Sequence, residues 1–196
     1  LVGSEMCIRD SDIIRLKEVR SMADNKQFSD YLAQLQKAQF PRWADLPQFD
    51  LYMDQVIQYV NDIVTPLGFG EITSTMVNNY VKKGVIQAPV KKKYRPEQLA
   101  NILVIAMLKP VFALDAIAKG IQFAKEGRPV AQAYDTFILT FISAIEQANS
   151  DFNDTVAINR TVQPSTAATQ HAVVSLAINA VLQKLMVEKL SLIHIS

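Results

Sequence analysis

The chain has 196 residues, and its 20 lysines and arginines nearly balance its 19 acidic residues, so the formal net charge is +1 at pH 7. This near-neutral charge does not by itself indicate a protein that binds nucleic acid. No apolar run reaches the roughly twenty residues that a membrane-spanning helix needs. The single cysteine, Cys7, excludes a disulfide framework and a thiolate zinc site.

Both ends of the chain read as translated adapter DNA. Leu1 to Ser11 and Leu190 to Ser196 back-translate to complementary strands of one sequencing-library adapter. We therefore expect neither segment to belong to the natural protein, and we exclude both from fold reasoning as one would exclude a fusion scar. The codons for Lys17 to Val19 can form a ribosome-binding sequence. This predicts a start at Met22 and an untranslated leader over Asp12 to Ser21. Because nothing resembling a stop precedes the second adapter, we expect the natural C-terminus to lie beyond Lys189.

The natural segment, Met22 to Lys189, offers little chemistry for catalysis. It contains no cysteine and one histidine, His171, and no nucleophile, base or metal-ligand cluster at catalytic spacing is visible. We therefore expect a protein that is not an enzyme, has no catalytic residues and uses no cofactor or metal. A bacterial cytoplasmic protein is the default expectation.

The first half of the chain is predicted to be helical with short connectors. A first helix carries apolar residues at helical spacing and ends before Pro41. In the connector that follows, Trp43, Leu46 and Phe49 are expected to enter the core. Asp50 is expected to cap a second helix, which ends before Pro66 and leads into a turn at residues 68–70.

A short third helix and an extended segment follow. Thr73 is predicted to cap this helix, and Gly84 is predicted to end it in a left-handed conformation. Residues 85–94 read as a hairpin-like wing interrupted by Pro89, with short strands at Val85 to Ile86 and near Lys92 to Tyr94.

The remaining chain is also predicted to be helical. Pro96 opens a nearly all-apolar helix that must be buried, a further helix ends near Gly127, and a long helix follows Pro129. Asn149 to Thr169 reads as a linker with a turn at Gln163-Pro164-Ser165. A last helix from about His171 would pack on the body or on a partner.

The segment from Ile72 to Pro96 concentrates positive charge. It contains six cations and no acidic residue. On the third helix, at about 100° per residue, Met76, Val77, Tyr80 and Val81 fall on one half, which predicts that they are buried. The polar residues fall on the other half: Ser74, Thr75, Asn78, Asn79 and Lys82.

The sequence of this segment and of the helices that follow it resembles two protein families. The sequences TSTMVNNYVKKGVI, KKKYRPEQLANILVI and FALDAIAKGI resemble the MerR-type winged helix-turn-helix, which implies a recognition helix followed by a basic wing. The arginine that precedes the tyrosine in that family is Asn78 here. Together with LPQFDLYMDQVIQYV, the same motifs resemble a bacterial domain-of-unknown-function family (DUF 1836) from Met22 to about Gln147.

The expected function is a DNA-binding transcriptional regulator that acts as a homodimer on double-stranded DNA. The resemblance implies a mainly α fold, with a MerR-like winged helix-turn-helix domain at residues 22–127 and a helical extension at 128–189 for dimerisation or effector sensing. The alternative is a winged-helix module that binds a protein and not DNA. The expected DNA contacts are Thr75, Asn78 and Asn79 on bases, and Lys82, Lys83, Lys91, Lys92, Lys93 and Arg95 on phosphates.

Overall fold

The computed structural model describes residues 26–150 and 166–195. The expected adapter peptide at 1–11, the leader at 12–21, the start at Met22 and the turn at 163–165 lie outside the described residues. The described residues form seven α-helices and one two-stranded sheet, which confirms the prediction of a mainly α protein. Each of the described helices is too short or too polar to span a bilayer.

Helix α1 spans residues 26–37. The other elements are, in chain order, a 3-10 helix at Trp43–Asp45, β1 at Leu51–Tyr52, α2 at Met53–Val64, a 3-10 helix at Thr65–Leu67, α3 at Ser74–Lys82, β2 at Lys93–Tyr94, α4 at Pro96–Leu108, α5 at Leu114–Lys125, α6 at Val130–Ser150 and α7 at Thr166–Ile195.

The segment between α1 and β1 is fastened to α6. The Tyr134 hydroxyl donates to the Pro41 carbonyl at 3.0 Å, and Asp135 accepts hydrogen bonds from the backbone N–H of Trp43 at 2.7 Å and from the Arg42 guanidinium at 3.0 Å. Leu46 is buried and Trp43 packs against the core, as predicted. Phe49 is not in the core, because 66% of it is exposed.

The start of α2 differs from the prediction. The N-cap is Tyr52, which lies in β1, and its backbone N–H donates to the Gln55 side chain at 2.9 Å. Asp50 is therefore not the cap, because strand pairing extends the backbone up to the first residue of α2. The end of α2 follows the prediction, since the helix ends at Val64, before Pro66, and Gly68 adopts a φ of 88°.

The sheet joins two segments that are distant in sequence. β1 and β2 are antiparallel, with Leu51 opposite Tyr94 and Tyr52 opposite Lys93. The strand predicted near Lys92 to Tyr94 is confirmed. The strand predicted at Val85 to Ile86 is wrong, because the partner of β2 comes from before α2 and those two residues form a bend.

The core is centred on α4, where the predicted apolar helix is buried around nearly its whole circumference. α5, α6 and α7 pack against it and against one another. The linker predicted at Asn149 to Thr169 is helical at both ends, since α6 reaches Ser150 and α7 begins at Thr166; residues 151–165 lie outside the described part. Gln170 is buried and donates to the carbonyls of Phe123 at 2.7 Å and Glu126 at 3.2 Å, which satisfies the end of α5.

The expected adapter segment at the C-terminus continues α7 to Ile195. Leu190 packs against Phe28 and Leu32 of α1, whereas Leu192 is 69% exposed. Its origin as adapter sequence stays a prediction.

Candidate nucleic-acid interface

Helix α3 is held by one face and presents the other to solvent. Val77 and Tyr80 are buried at 0% and 1% exposure, while Met76 and Val81 are only partly buried, because they lie at the edges of the packed face. The opposite face is exposed, as predicted, and we call its central residues the α3 stripe. The stripe consists of Thr75, Asn78, Asn79 and Lys82, which lie within about 100° of one another around the helix axis.

Two local caps fix the ends of α3. The Thr73 hydroxyl accepts a hydrogen bond from the backbone N–H of Met76 at 3.3 Å, which confirms the predicted N-cap. At the other end Gly84 has a φ of 70°, and the backbone N–H of Val85 donates to the Tyr80 carbonyl at 2.9 Å. The chain therefore leaves α3 in a defined direction, and Ile86 enters the core at the base of the wing.

The connection between α2 and α3 is equally well defined. The Asn61 side chain on α2 accepts from the backbone N–H of Ile72 at 2.8 Å and donates to the Ile72 carbonyl at 3.0 Å. These two bonds hold the residue that precedes the α3 cap, and Ile72 is itself buried. The orientation of α3 against α2 is fixed by this contact.

The wing ends in a two-residue turn formed by lysines. The backbone N–H of Val90 donates to the Lys93 carbonyl at 3.1 Å and the N–H of Lys93 donates to the Val90 carbonyl at 3.0 Å. Between them Lys91 and Lys92 have positive φ angles of 51° and 64°. This geometry favours asparagine and glycine, so the two exposed lysines occupy a strained backbone.

The outer face of the small sheet is both cationic and apolar. Tyr52, Lys93 and Val90 are cross-strand neighbours, and the Lys93 ammonium lies 5.0 Å from the centre of the Tyr52 ring. Tyr52 is 53% exposed and Val90 is 51% exposed. Phe49, three residues before Tyr52, is 66% exposed. These exposed apolar side chains near the basic wing were not predicted from the sequence.

Gln98 connects the wing to the core, a role that was not predicted from the sequence. It is 5% exposed, accepts from the backbone N–H of Arg95 at 2.7 Å and donates to the Gln87 carbonyl at 2.7 Å. One buried amide thus holds both ends of the wing against the start of α4. Its position three residues after Arg95 is the capping-box spacing, which is a signal that the sequence does contain.

The positive charge of the segment from Ile72 to Pro96 is not neutralised by ion pairs within the described residues. None of its six cations forms an ion pair there, while the next acidic residue along the chain, Glu97, pairs with Lys125 at 3.1 Å. Lys93 is partly buried and the other five cations are exposed: Lys82, Lys83, Lys91, Lys92 and Arg95. Burial raises the pKa of Tyr80 and of Tyr94, so both phenols stay neutral beside these cations.

No group of three or more histidine, cysteine or acidic side chains in the described part of the chain is arranged to hold a metal. No curated protein and no solved structure matches the chain. One family model, described as Domain of unknown function (DUF1836), matches residues 41–137, about half of the 196 residues. This range runs from the Pro41 contact with α6 through the candidate interface, and the match supports assignment of residues 41–137 to the DUF1836 family.

Proposed function

We propose that the chain is a sequence-specific DNA-binding regulator of transcription in the bacterial cytoplasm, with α3 as its recognition helix. The α3 stripe carries this proposal. Its hydroxyl and two amides can donate and accept at base edges in a major groove, and asparagine pairs with adenine through two hydrogen bonds. Lys82 lies on the same face and Lys83 follows it, where they would contact phosphates.

The turn of the wing supports the same function. Backbone strain persists in proteins where the surroundings enforce it, and it is concentrated at functional sites. Here the strained turn places Lys91 and Lys92 at an exposed tip, close in sequence to Lys93 and Arg95. Such a tip is suited to binding phosphates on the DNA backbone. Moreover, α3, the wing, α4 and α5 follow one another in the order that the MerR-type resemblance implies.

A regulator of this kind is expected to act as a homodimer, so that two copies of α3 read two half-sites. α7 offers a surface for this contact, because Val173, Leu176 and Val187 are exposed at 42%, 55% and 61%. At about 100° per residue they lie within about 60° of one another. We call these three residues the α7 stripe, and we propose that it forms the dimer contact.

A second function has its own supporting observation. Tyr52 and Val90 are exposed apolar neighbours of Lys93 on the sheet, and Phe49 is exposed three residues before Tyr52. Surface of this kind is typical of a contact with a protein. The alternative is therefore a module of the same fold that binds an acidic protein through the wing and does not bind DNA.

A salt titration of the full chain on DNA duplexes tests the first proposal. Phosphate contacts act through counterion release, so changing Lys91, Lys92 and Lys93 together to alanine should weaken binding to all sequences alike. The slope of log affinity against log salt should fall by up to about three units. The matched control changes three exposed lysines elsewhere to alanine and should leave that slope unchanged: Lys26, Lys37 and Lys119.

Base reading is tested separately with Asn78→Ala. On a duplex selected from genomic fragments we expect a loss of about 1 to 3 kcal/mol, with little change on a scrambled duplex and in the salt slope. Gln36→Ala, an exposed amide on α1, is the control. If the folded protein binds no duplex at any salt concentration, the DNA proposal is wrong and the protein-binding alternative is favoured.

A further inference from the structure

A cavity of about 80 Å³ lies where α4, α5, α6 and α7 meet. Apolar side chains from all four helices form most of its wall: Val104, Leu108, Ile121, Phe137, Val174 and Ala177. This volume is several times the roughly 15 Å³ that one water needs, and it is about half of an engineered apolar cavity of about 150 Å³ that stays dry and binds benzene. The space fits a short alkyl group or part of one aromatic ring, and it opens towards solvent.

The polar groups at the wall indicate a ligand without charge. Lys125 is already paired with Glu97 at 3.1 Å, and the Tyr134 hydroxyl already donates to Pro41 at 3.0 Å. The Asn101 side chain also lines the cavity, and among the described residues its amide has no hydrogen-bond partner. It is therefore the group that can still donate to or accept from a ligand.

A glycine keeps one side of this cavity open. Gly120 lies within α5 and lines the cavity, and a Cβ atom added there would meet nothing within 4 Å. Packing therefore does not require glycine at this position. Glycine also makes the helix less stable than alanine would. Its lack of a side chain leaves room at the cavity.

We propose that this cavity binds a small neutral molecule, with a short alkyl group or part of one aromatic ring among the apolar side chains and one polar group on Asn101. This goes beyond the proposed DNA binding and does not depend on it, because the cavity uses none of the residues of the α3 stripe or the wing. A mostly apolar wall with a small number of polar groups is characteristic of small-molecule sites.

Titration of the full chain with benzyl alcohol, followed by methyl NMR, tests the proposal. We expect saturable shifts of the methyl groups of Val104, Ile121 and Val174, with weaker binding of benzoate because its charge would be buried without a partner. Gly120→Leu should fill the cavity and weaken binding at least tenfold. Ala116→Leu adds the same side chain at an exposed position of α5 and should bind like the parent chain.

A second variant covers the case in which Gly120→Leu does not fold. Asn101→Ala should weaken binding about two- to tenfold, which is the value of one neutral hydrogen bond. The proposal is overturned by the absence of saturable binding to the parent chain, by equal binding to a folded Gly120→Leu, by tighter binding of benzoate, or by no effect of Asn101→Ala.

Discussion

At the tip of the wing, Lys91 and Lys92 occupy positions for which lysine is a poor choice. Both have positive φ, and the asparagine-glycine pair is the one that such a turn favours. The double change Lys91→Asn with Lys92→Gly should therefore raise the free energy of unfolding by about 1 to 2 kcal/mol. If the tip contacts phosphates, the same variant should lose DNA affinity and about two units of salt slope.

Urea unfolding and a DNA titration of this one variant separate the two effects. A gain in stability with a loss of DNA affinity would mean that the lysines are kept for binding and not for the fold. Lower stability would contradict the turn geometry, whatever happens to the affinity.

Tyr80 has a buried hydroxyl with no hydrogen-bond partner among the described residues. Because an unpaired buried hydroxyl costs about 1 to 3 kcal/mol, Tyr80→Phe should leave stability unchanged or raise it by about 1 kcal/mol. Tyr134→Phe is the matched control, since its hydroxyl donates to Pro41 at 3.0 Å, and it should lower stability by about 1 kcal/mol. Chemical unfolding of both variants checks the prediction, and a clear loss of stability in Tyr80→Phe would contradict it.

At the scale of the element, the features set by neighbouring residues were predictable. The Thr73 cap, the Gly84 end and the exposed face of α3 all follow from spacing within about a dozen residues, and the structure confirms them. Asp50 and Phe49 were predicted wrongly for one common reason. They precede β1, and the pairing of β1 with a strand beyond α3 is a long-range contact that local periodicity does not contain.

In the candidate interface too, features set by neighbouring residues were predictable and those set by long-range contacts were not. The α3 stripe was visible in the sequence, because helical periodicity alone separates polar from apolar residues. The contact of Lys93 with Tyr52 depends on the strand pairing, and the two-ended hydrogen bonding of Gln98 depends on the fold around the wing. Long-range contacts of this kind determine how the wing is held, and the local pattern of one sequence does not contain them.

Asp135 on α6 holds the segment before β1, and its ionised form makes that contact. Although burial pushes its pKa upward, the hydrogen bonds from Arg42 and from the Trp43 backbone, with the charge of Arg42, lower the pKa overall. A carboxyl group with a lowered pKa stabilises the fold above its unfolded value of about 4. That stability is lost as the pH falls through the folded pKa.

Asp135→Asn should therefore lower the free energy of unfolding by about 1 to 2 kcal/mol at pH 7, because two hydrogen bonds to a charged acceptor are weakened. The difference from the parent chain should shrink when unfolding is measured near pH 3. Asp115→Asn changes an exposed carboxyl on α5 and should have little effect at either pH. An equally large loss at both pH values would contradict a role for the charge.

At the scale of the whole molecule, α4 connects the proposed sites. Its first turn holds the wing through Gln98, and Asn101, Val104 and Leu108 further along the same helix line the cavity. A ligand that shifts α4 would therefore also move the base of the wing.

The last prediction concerns the α7 stripe and the number of chains that act together. At about 100° per residue, Leu176 and Val187 lie on the side of α7 opposite the buried Ile178 and Leu185. Val173 lies at the edge of this face, since it also lines the cavity. Burying such side chains in a partner would stabilise a symmetric dimer, because each fully buried aliphatic side chain contributes about 1.5 to 3 kcal/mol. Changing Leu176 and Val187 together to lysine should then yield a folded monomer in sedimentation velocity.

Gln36→Lys with Ala116→Lys adds the same charge at exposed positions on α1 and α5 and should leave the dimer intact. The monomeric variant should also bind a two-half-site duplex much more weakly than the parent chain while binding a single half-site equally well, because each α3 is unchanged. A parent chain that sediments as a monomer at all concentrations would contradict the proposed contact. A variant that stays dimeric would place the contact on another surface.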